Sequence, residues 1–593
     1  MAQDTVDFHE EEVSEKSFDP RLMWRLLGYL KPYLGLVMLA FVLIMMASVA
    51  MQAGPYLTKI AIDDYILKGD LAGLHQMVLL FVVLLVVQFT TYFVQNYITQ
   101  MTGQRAMYDL RNQIFTHLQK LPLKFFDRTP IGRLMTRNTN DVDALNELFT
   151  DGVVVVFNDI FTLLAILLYM FHMDSALGLV ACSVIPVMFL VTFWVQGKML
   201  RAFRRARSRL ARLNAYLQEN ISGMSVVQLF NREVRNMVQF RGINRRYLDA
   251  NLESTFYNSI YFPVMEMLVA ITIGLILWFG ASDVVEGRIE WGILVAMLQY
   301  IPRFFWPILE ISERYAILQA AMASSERIFE LLDTEPEPAG GDWARDSVAG
   351  EIEFDGVWFA YVEKEWVLKD VSFLLKPGEK VAIVGATGSG KSTIINLLCR
   401  FYDIQKGTIR VDGVDIREWE VESLRRRIGI VQQDVFLFSG DIASNIRLSN
   451  DRISQDQVMQ AARDVNAAPF IEKLSNQYAH VVSERGSTLS VGQRQLLAFA
   501  RALAFDPDIL VLDEATSSVD TETETWIQQA VDRLMENRTS IVIAHRISTI
   551  RKADTIIALH QGTIREKGTH DELMAVKGFY YRLHQLQYLA RDG

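Results

Sequence analysis

Hydrophobic residues follow two different patterns along the 593-residue chain. Before about residue 330 they form long runs, and after about residue 350 they form short runs between charged and glycine-rich stretches. Each long run can cross about 30 Å of hydrocarbon. Six such runs lie at residues 34–57, 77–97, 153–173, 176–196, 261–281 and 291–311. Because runs such as 77–87 are apolar on every side, membrane-spanning helices explain them better than the core helices of a soluble protein.

The connections between these segments alternate between short and long. Apolar residues at helical spacing continue into the two long connections, over 104–121 and 201–251. The membrane helices are therefore expected to extend far into the cytosol. Proline and glycine break the first connection around 122–137, and Gly223 interrupts the second. These breaks predict short separate helices that an energy-supplying domain can push on.

The charges beside the segments fix their orientation. A basic run at 201–209 follows the fourth segment, and positive charge marks the cytosolic side of a membrane protein. The short connections carry acidic residues instead, namely Asp63, Asp64, Asp174, Asp283 and Glu286. With six crossings, both termini are predicted to lie in the cytosol and the chain in the cytoplasmic (inner) membrane. The basic run could instead bind nucleic acid, but its position beside a membrane segment favours a role in topology. A net charge of −10 also argues against nucleic acid as a main partner of the chain.

Composition divides the chain into four parts. An acidic cytosolic tail is predicted at 1–20, a transmembrane domain at 21–332, a linker rich in proline and glycine at 333–350, and a soluble α/β domain at 351–593. The fold class expected is thus an all-α membrane domain followed by an α/β domain. The two cysteines, Cys182 and Cys399, lie in different halves, so a disulfide framework is not expected.

A glycine-rich stretch in the soluble half fits the phosphate-binding pattern G-x-x-x-x-G-K-[ST]. It follows a short apolar strand at 380–384 and precedes an amphipathic helix at 392–398, which is the context this motif requires. Backbone N–H groups of such a loop point at phosphate oxygens, a lysine neutralises phosphate charge and a hydroxyl ligates magnesium. The predicted ATP-binding residues here are Gly385, Ala386, Thr387, Gly388, Ser389, Gly390, Lys391, Ser392 and Thr393.

Further candidates lie at the ends of apolar strands. Asp513 follows four apolar residues and suits a magnesium ion (Mg2+), and Glu514 is the candidate base for the attacking water. His545 ends the next apolar strand and is placed at the γ-phosphate, in preference to a packed core histidine. Gln432 or Gln433 can reach magnesium from a loop after 428–431. Tyr361 lies ahead of the loop and either stacks on adenine or packs as a core aromatic.

Together these residues resemble the ATP-binding-cassette exporters, in particular half-transporters with six membrane helices fused ahead of one nucleotide-binding domain. The resemblance covers nearly the whole chain after the tail. It assigns Tyr361 to adenine, Gln433 to the magnesium-contacting glutamine and Asp520 to the D-loop. The residues that match the signature motif, which contacts ATP bound to a partner, are Ser490, Val491, Gly492 and Gln493. The matches to the coupling-helix regions are Phe125, Phe126, Asp127, Gly132, Arg133, Arg137, Asp141, Glu219, Gly223 and Phe230.

The resemblance implies a dimer of halves with two ATP molecules between them, and ATP-driven export of amphipathic molecules or lipids by alternating access. Val491 departs from the family, whose signature has glycine there. An intact Glu514 together with an altered signature fits one half of a heterodimer, which we favour over a homodimer. The alternative function, an ATP-gated channel or regulatory subunit, is disfavoured because Glu514 and His545 are kept.

Polar residues within the membrane segments are weaker candidates. They are Asn158, Asp159, Glu266, Gln299 and Glu310. Charge at bilayer depth is costly and usually faces a wet cavity, but a position at the rim of the membrane is the simpler interpretation for each. The sequence therefore predicts an amphipathic substrate without identifying it.

Overall fold

The computed structural model describes residues 19–514, 521–544 and 547–589. The chain divides into two compact units. One comprises Met1–Gln119 and Ile131–Thr334, and we call it the helical unit. The other comprises Lys120–Pro130 and Glu335–Gly593, and we call it the sheet unit. The order expected from the sequence, an all-helical half followed by an α/β half, is confirmed.

Long α-helices make up most of the chain before residue 333. In chain order they are α1 (Pro20–Leu27), α2 (Leu34–Ile60), α3 (Leu71–Leu118), α4 (Leu123–Arg128), α5 (Ile131–Thr136), α6 (Val142–Glu147), α7 (Val154–Met173), α8 (Ser175–Cys182), α9 (Ile185–Ser222), α10 (Met224–Leu229), α11 (Glu233–Val285) and α12 (Trp291–Leu332). A 3₁₀ turn (Gly28–Tyr33) and π-helical turns (Ala61–Ile66, Arg137–Asp141 and Leu148–Val153) join some of them without a break.

Five continuous helical stretches among the described residues are long and apolar enough to cross a membrane. They are Pro20–Ile66, Leu71–Leu118, Ile131–Met173, Ser175–Ser222 and Glu233–Val285. These stretches contain the first five predicted segments. The sixth prediction falls on the start of α12, a helix of 42 residues that contains Pro302 and Pro307. Its crossing of the membrane stays a prediction.

The membrane helices extend well beyond their apolar segments, as predicted. At 1.5 Å per residue, the 53 residues of α11 span about 80 Å, more than twice the hydrocarbon thickness. The predicted interruptions are also present. Helix α9 ends before Gly223 and α10 forms a separate turn after it. In the first connection, Pro122 precedes α4 as a non-helical residue, because proline cannot continue a helix from the preceding turn.

A buried ionic network joins two elements of the helical unit. Asp141 is 5% exposed, and its carboxylate accepts hydrogen bonds from Ser324 Oγ and Arg327 Nε, each at 3.0 Å. Both donors lie on α12, whereas Asp141 ends a π-helical turn that precedes α6. The carboxylate therefore holds two elements that are distant in sequence.

Twelve strands are assigned in the described residues of the sheet unit. They are β1 (Ile352–Phe359), β2 (Leu368–Leu375), β3 (Lys380–Val384), β4 (Lys406–Val411), β5 (Val414–Asp415), β6 (Ile428–Val431), β7 (Gly440–Asp441), β8 (Val481–Val482), β9 (Ile509–Glu514), β10 (Thr539–Ala544), β11 (Thr555–His560) and β12 (Thr563–Gly568). The main sheet has the order β12-β11-β3-β10-β9-β6, in which every pair except β11 and β12 is parallel. A separate antiparallel sheet has the order β2-β1-β4-β5.

Helices pack around this sheet. They are α13 (Lys391–Leu398), α14 (Val421–Arg427), α15 (Ile442–Arg447), α16 (Gln455–Asp464), α17 (Ala468–Ile471), α18 (Val491–Ala504), α19 (Thr521–Leu534), α20 (Ile547–Arg551), α21 (His570–Val576) and α22 (Phe579–Leu589). Successive residues of β9 point into different cores: Leu510 and Leu512 join one hydrophobic cluster, and Ile509 and Val511 join the other. This alternation follows from the two-residue period of a strand and explains the uninterrupted apolar run.

The segment predicted as a linker packs along the sheet unit. Trp343 stacks edge-on against the fully buried Trp419, with ring centroids 4.3 Å apart. Glu337 accepts two hydrogen bonds from Arg425, at 2.6 and 3.0 Å. Gly340 adopts a φ of +93°, and a Cβ there would lie 2.2 Å from the carbonyl oxygen of Trp419. The glycine in this stretch therefore permits close backbone packing.

We expect Asp141→Ala to destabilise the helical unit by about 3 kcal/mol, because it leaves the Arg327 guanidinium without its buried counter-charge. Thermal unfolding of the purified protein in detergent measures this as a lower midpoint. Asp143→Ala is the matched control, since Asp143 is exposed and pairs with Arg111 on the surface. Its cost should stay below about 1 kcal/mol. Equal midpoints for the two variants would contradict the role given to Asp141.

Candidate functional site

The parallel strands bring most of the predicted site residues to one edge of the sheet. Strands β3, β10, β9 and β6 are neighbours and parallel, so their carboxyl ends meet at the same edge, where ligands of open α/β sheets bind. Gly385 follows β3, Asp513 lies near the end of β9, and Gln433 follows β6. His545 is the next residue after β10, but it lies outside the described residues, as Asp520 does. For Glu514 the structure describes the backbone, at the end of β9.

The loop between β3 and α13 depends on its glycines. Gly388 and Gly390 have φ angles of +77° and +101°, in the region that side chains rarely adopt. A Cβ on Gly390 would also lie 2.6 Å from Leu368 Cδ2, and one on Gly385 would lie 2.3 Å from the carbonyl oxygen of Leu559. The backbone can therefore fold tightly between neighbouring chains only where side chains are absent.

Lys391 is the first residue of α13 and is 7% exposed. Its Nζ donates hydrogen bonds to the carbonyl oxygens of Gly385 (2.8 Å) and Ala386 (3.1 Å). Burial lowers the pKa of this ammonium group, and the charge of Asp513 partly opposes that shift. An ammonium held among neutral carbonyls at a helix N-terminus is poised for an anion, and phosphate oxygens fit this requirement.

Ser392 and Asp513 face each other beside the lysine. The hydroxyl of Ser392 lies 3.5 Å from Asp513 Oδ2, too far for a strong hydrogen bond. Hydroxyl and carboxylate oxygens are ligands that magnesium prefers, together with phosphate and water. No cluster of three or more His, Cys, Asp or Glu side chains that could hold a metal occurs in the described residues. The two oxygens fit an ion whose remaining ligands come from nucleotide and water.

Gln433 and its neighbour Gln432 are both exposed in the loop after β6. Either side chain is thus available to the sheet edge from this loop. The assignment of Gln433 in preference to Gln432 stays a prediction.

Tyr361 lies next to α13. Its hydroxyl donates a hydrogen bond to Thr393 Oγ1 and accepts one from Asn396 Nδ2, both at 3.3 Å. Its half-buried ring contacts Phe359 and Tyr402 edge-on, with centroids 4.8 and 5.0 Å apart. This placement beside the phosphate loop suits a ring that stacks on a nucleotide base, and that role stays a prediction.

The signature residues form the start of α18. Ser490 Oγ accepts a hydrogen bond from the backbone N–H of Gln493 (3.2 Å), and Gln493 Oε1 accepts one from the N–H of Ser490 (3.0 Å). This reciprocal cap stabilises the start of the helix, and it explains the presence of serine and glutamine at these two positions without any ligand. Val491 occupies the first helical position and is 48% exposed. Among the described residues, α18 packs mainly on α15, α16, α19 and β6, while the phosphate loop leads into α13.

Sequence reasoning missed two residues of this neighbourhood. Asn396 lies three residues after Thr393 on α13, so helical periodicity offered a signal for their shared face. Tyr402 follows that helix in an irregular stretch, and only the tertiary contact with Tyr361 reveals its proximity.

Comparison with known proteins finds a matching family model for each half of the chain. Residues 37–308 match the ABC transporter transmembrane region and residues 368–517 match the ABC transporter family. An uncharacterized ABC transporter ATP-binding protein YknV of Bacillus subtilis (strain 168) is 40% identical over 585 residues, which cover 98% of this chain and 97% of that protein. A probable multidrug resistance ABC transporter ATP-binding/permease protein YheH of the same organism is 38% identical over 523 residues, which cover 88% of this chain and 78% of that protein. An ATP-dependent lipid A-core flippase of Syntrophus aciditrophicus (strain SB) is 36% identical over 566 residues, which cover 95% of this chain and 94% of that protein.

We expect Gly390→Ala to weaken ATP binding at least about tenfold, since it combines backbone strain with a Cβ too close to the buried Leu368. Binding of a fluorescent ATP analogue measures this. Gly413→Ala is the matched control, because Gly413 has a φ of +77° with nothing within 4 Å of its Cβ position. It should lose about 1 kcal/mol of stability and bind nucleotide normally. Similar ATP affinities for both variants would contradict the steric account of the loop.

Proposed function

The chain belongs to the ABC transporter family, and we propose from this that it exports lipids or other amphipathic small molecules, driven by ATP hydrolysis. One observation carries the proposal. A single polypeptide joins apolar helices that can span a membrane to a sheet whose parallel edge carries the phosphate loop and Asp513. Relatives named as a multidrug resistance transporter and a lipid A-core flippase support this substrate class. The proposed location is the cytoplasmic membrane, with both termini and the sheet unit in the cytosol.

The residues near the sheet edge have different roles in binding ATP. Tyr361 stacks on the adenine, and Lys391 with the N–H groups from Gly385 to Thr393 holds the phosphates. Ser392, Asp513 and Gln433 hold Mg2+, which neutralises phosphate charge when bound.

Two further residues take part in hydrolysis at the γ-phosphate. Glu514 orients the attacking water and accepts its proton, and His545 hydrogen-bonds the γ-phosphate. Hydrolysis then favours the state with lower affinity for ATP, and this difference in affinity drives the conformational cycle.

We further propose that the chain works as a heterodimer. The N-terminus of α18 offers Ser490, Val491, Gly492 and Gln493 to ATP on the phosphate loop of a partner. Val491 is β-branched and exposed at the first position of α18, so it narrows the approach of a phosphate to this helix. The partner's site is therefore the weaker of the two, whereas Glu514 keeps the site on this chain active.

Glu514→Gln should lower ATP hydrolysis at least about 100-fold, because the base is lost while the phosphate-binding groups remain. ATP binding should stay within about twofold of wild type. We would measure phosphate release and nucleotide binding in lipid nanodiscs, and transport of a fluorescent lipid in proteoliposomes. The proposed function is wrong if the wild-type complex hydrolyses ATP but moves neither lipids nor amphipathic dyes.

Co-purification from the native host tests the heterodimer. A second half-transporter should accompany the chain, and the chain alone should hydrolyse ATP without stimulation by substrate. Val491→Gly in the complex should tighten nucleotide binding at the partner's site, since the added space admits phosphate. Substrate-stimulated hydrolysis and transport by the chain alone in lipid would contradict the heterodimer.

A further inference from the structure

Residues 120–130 belong to the sheet unit although residues of the helical unit flank them on both sides. The backbone N–H of Glu337 donates a hydrogen bond to the carbonyl oxygen of Lys120 at 2.7 Å. Arg128 donates one to the carbonyl oxygen of Tyr361 at 3.3 Å, and Tyr402 donates one from its hydroxyl to the carboxylate of Asp127. Helix α4, which carries Asp127 and Arg128, is thus fixed to the unit that binds nucleotide.

Two of these contacts converge on the predicted adenine-binding residue. Arg128 bonds the backbone of Tyr361, and Tyr402 packs its ring edge-on against the Tyr361 ring with centroids 5.0 Å apart. The Tyr402 ring also contacts Phe359 at 5.8 Å, so its orientation depends on the aromatic cluster. Burial and then the hydrogen bond to Asp127 raise the pKa of Tyr402, and the hydroxyl stays protonated as a donor.

We propose that Tyr402 is a positioning residue that links occupancy of the adenine site to α4. A base stacked on Tyr361 restricts the Tyr361 ring, and the edge contact passes this restriction to the Tyr402 ring. The hydroxyl of Tyr402 then holds Asp127 in one place, and α4 is ordered with it. Helix α4 directly follows α3, which is a membrane-spanning helix by length and composition, so the link reaches the proposed transport path. The inference rests on the proposed function, because it takes the ligand at Tyr361 to be the base of ATP.

Hydrogen exchange of the full-length complex in lipid nanodiscs tests the link. A non-hydrolysable ATP analogue with Mg2+ should slow amide exchange of wild type in two peptides, one covering 385–393 and one covering 120–130. Tyr402→Phe removes the hydroxyl and keeps the ring. In this variant the ATP analogue should still slow amide exchange at 385–393. Its slowing of exchange at 120–130 should be at least about fivefold smaller than in wild type, because fivefold is the lower end of typical coupling between two sites.

A second ligand separates the base from the phosphates. Inorganic tripolyphosphate with Mg2+ occupies the phosphate loop without a base. It should slow exchange at 385–393 in wild type and leave 120–130 unchanged. Protection of 120–130 by tripolyphosphate equal to that by the ATP analogue would overturn the route through Tyr361.

Three variants complete the design. Asp127→Ala removes the acceptor of this hydrogen bond and should reproduce the effect of Tyr402→Phe. The double variant should be no worse than either, because both changes remove one interaction. Tyr581→Phe is the matched control, since it deletes a hydroxyl that accepts a hydrogen bond from Gln585 within α22. It should behave as wild type at both peptides.

The outcomes are distinguishable. Full protection of 120–130 in Tyr402→Phe, or additive effects in the double variant, overturns the role of Tyr402 and leaves the exporter proposal intact. Failure of the ATP analogue to slow exchange at 385–393 in wild type overturns the proposed function itself, and the link with it.

Discussion

The coincidence of four parallel strand ends at one edge of the sheet is the constraint on which the chemistry depends. In the order β3-β10-β9-β6 each strand exits at the same edge, so the loops that follow are neighbours although more than a hundred residues separate some of them. The charge of Asp513, which approaches from β9, partly offsets the cost of burying the Lys391 ammonium group among loop carbonyls. An anion and its metal complete this arrangement electrostatically.

The helical unit obeys a different constraint. Hydrocarbon offers no hydrogen-bond partners to the backbone, so the chain must cross it as unbroken helices. The same helices continue beyond the apolar segments, and the interruptions of the two long connections include Pro122 and Gly223. The breaks place short helices at the ends of long rigid ones, where a small displacement is carried along the whole helix.

Some parts of the proposed ATP sites are formed by this chain alone, and others are proposed to need a second chain. The phosphate loop, Ser392 and Asp513 are assembled within one polypeptide. The start of α18 is capped internally by Ser490 and Gln493, and it exposes Val491 to solvent. In the proposed heterodimer, the partner's phosphate loop brings ATP to this helix, and the β-branched side chain of Val491 makes the two sites unequal.

Much of the architecture was predictable because it rests on local signals. The apolar runs gave the membrane segments, the helical spacing gave their extensions, and the strand-loop-helix pattern around Gly385 gave the phosphate site. The sixth segment falls within α12, where Pro302 and Pro307 do not end the helix.

Other features could not be predicted because they depend on contacts between distant residues. The membership of residues 120–130 in the sheet unit, the packing of the expected linker through Trp343 and Trp419, and the contacts of Tyr402 carry no spacing or composition signal. By itself, then, the sequence determined which elements form and which residues are chemically suited to ATP. Only the tertiary structure decided which of them meet, because a hydrogen bond such as that between Tyr402 and Asp127 joins residues that the order of the chain leaves far apart.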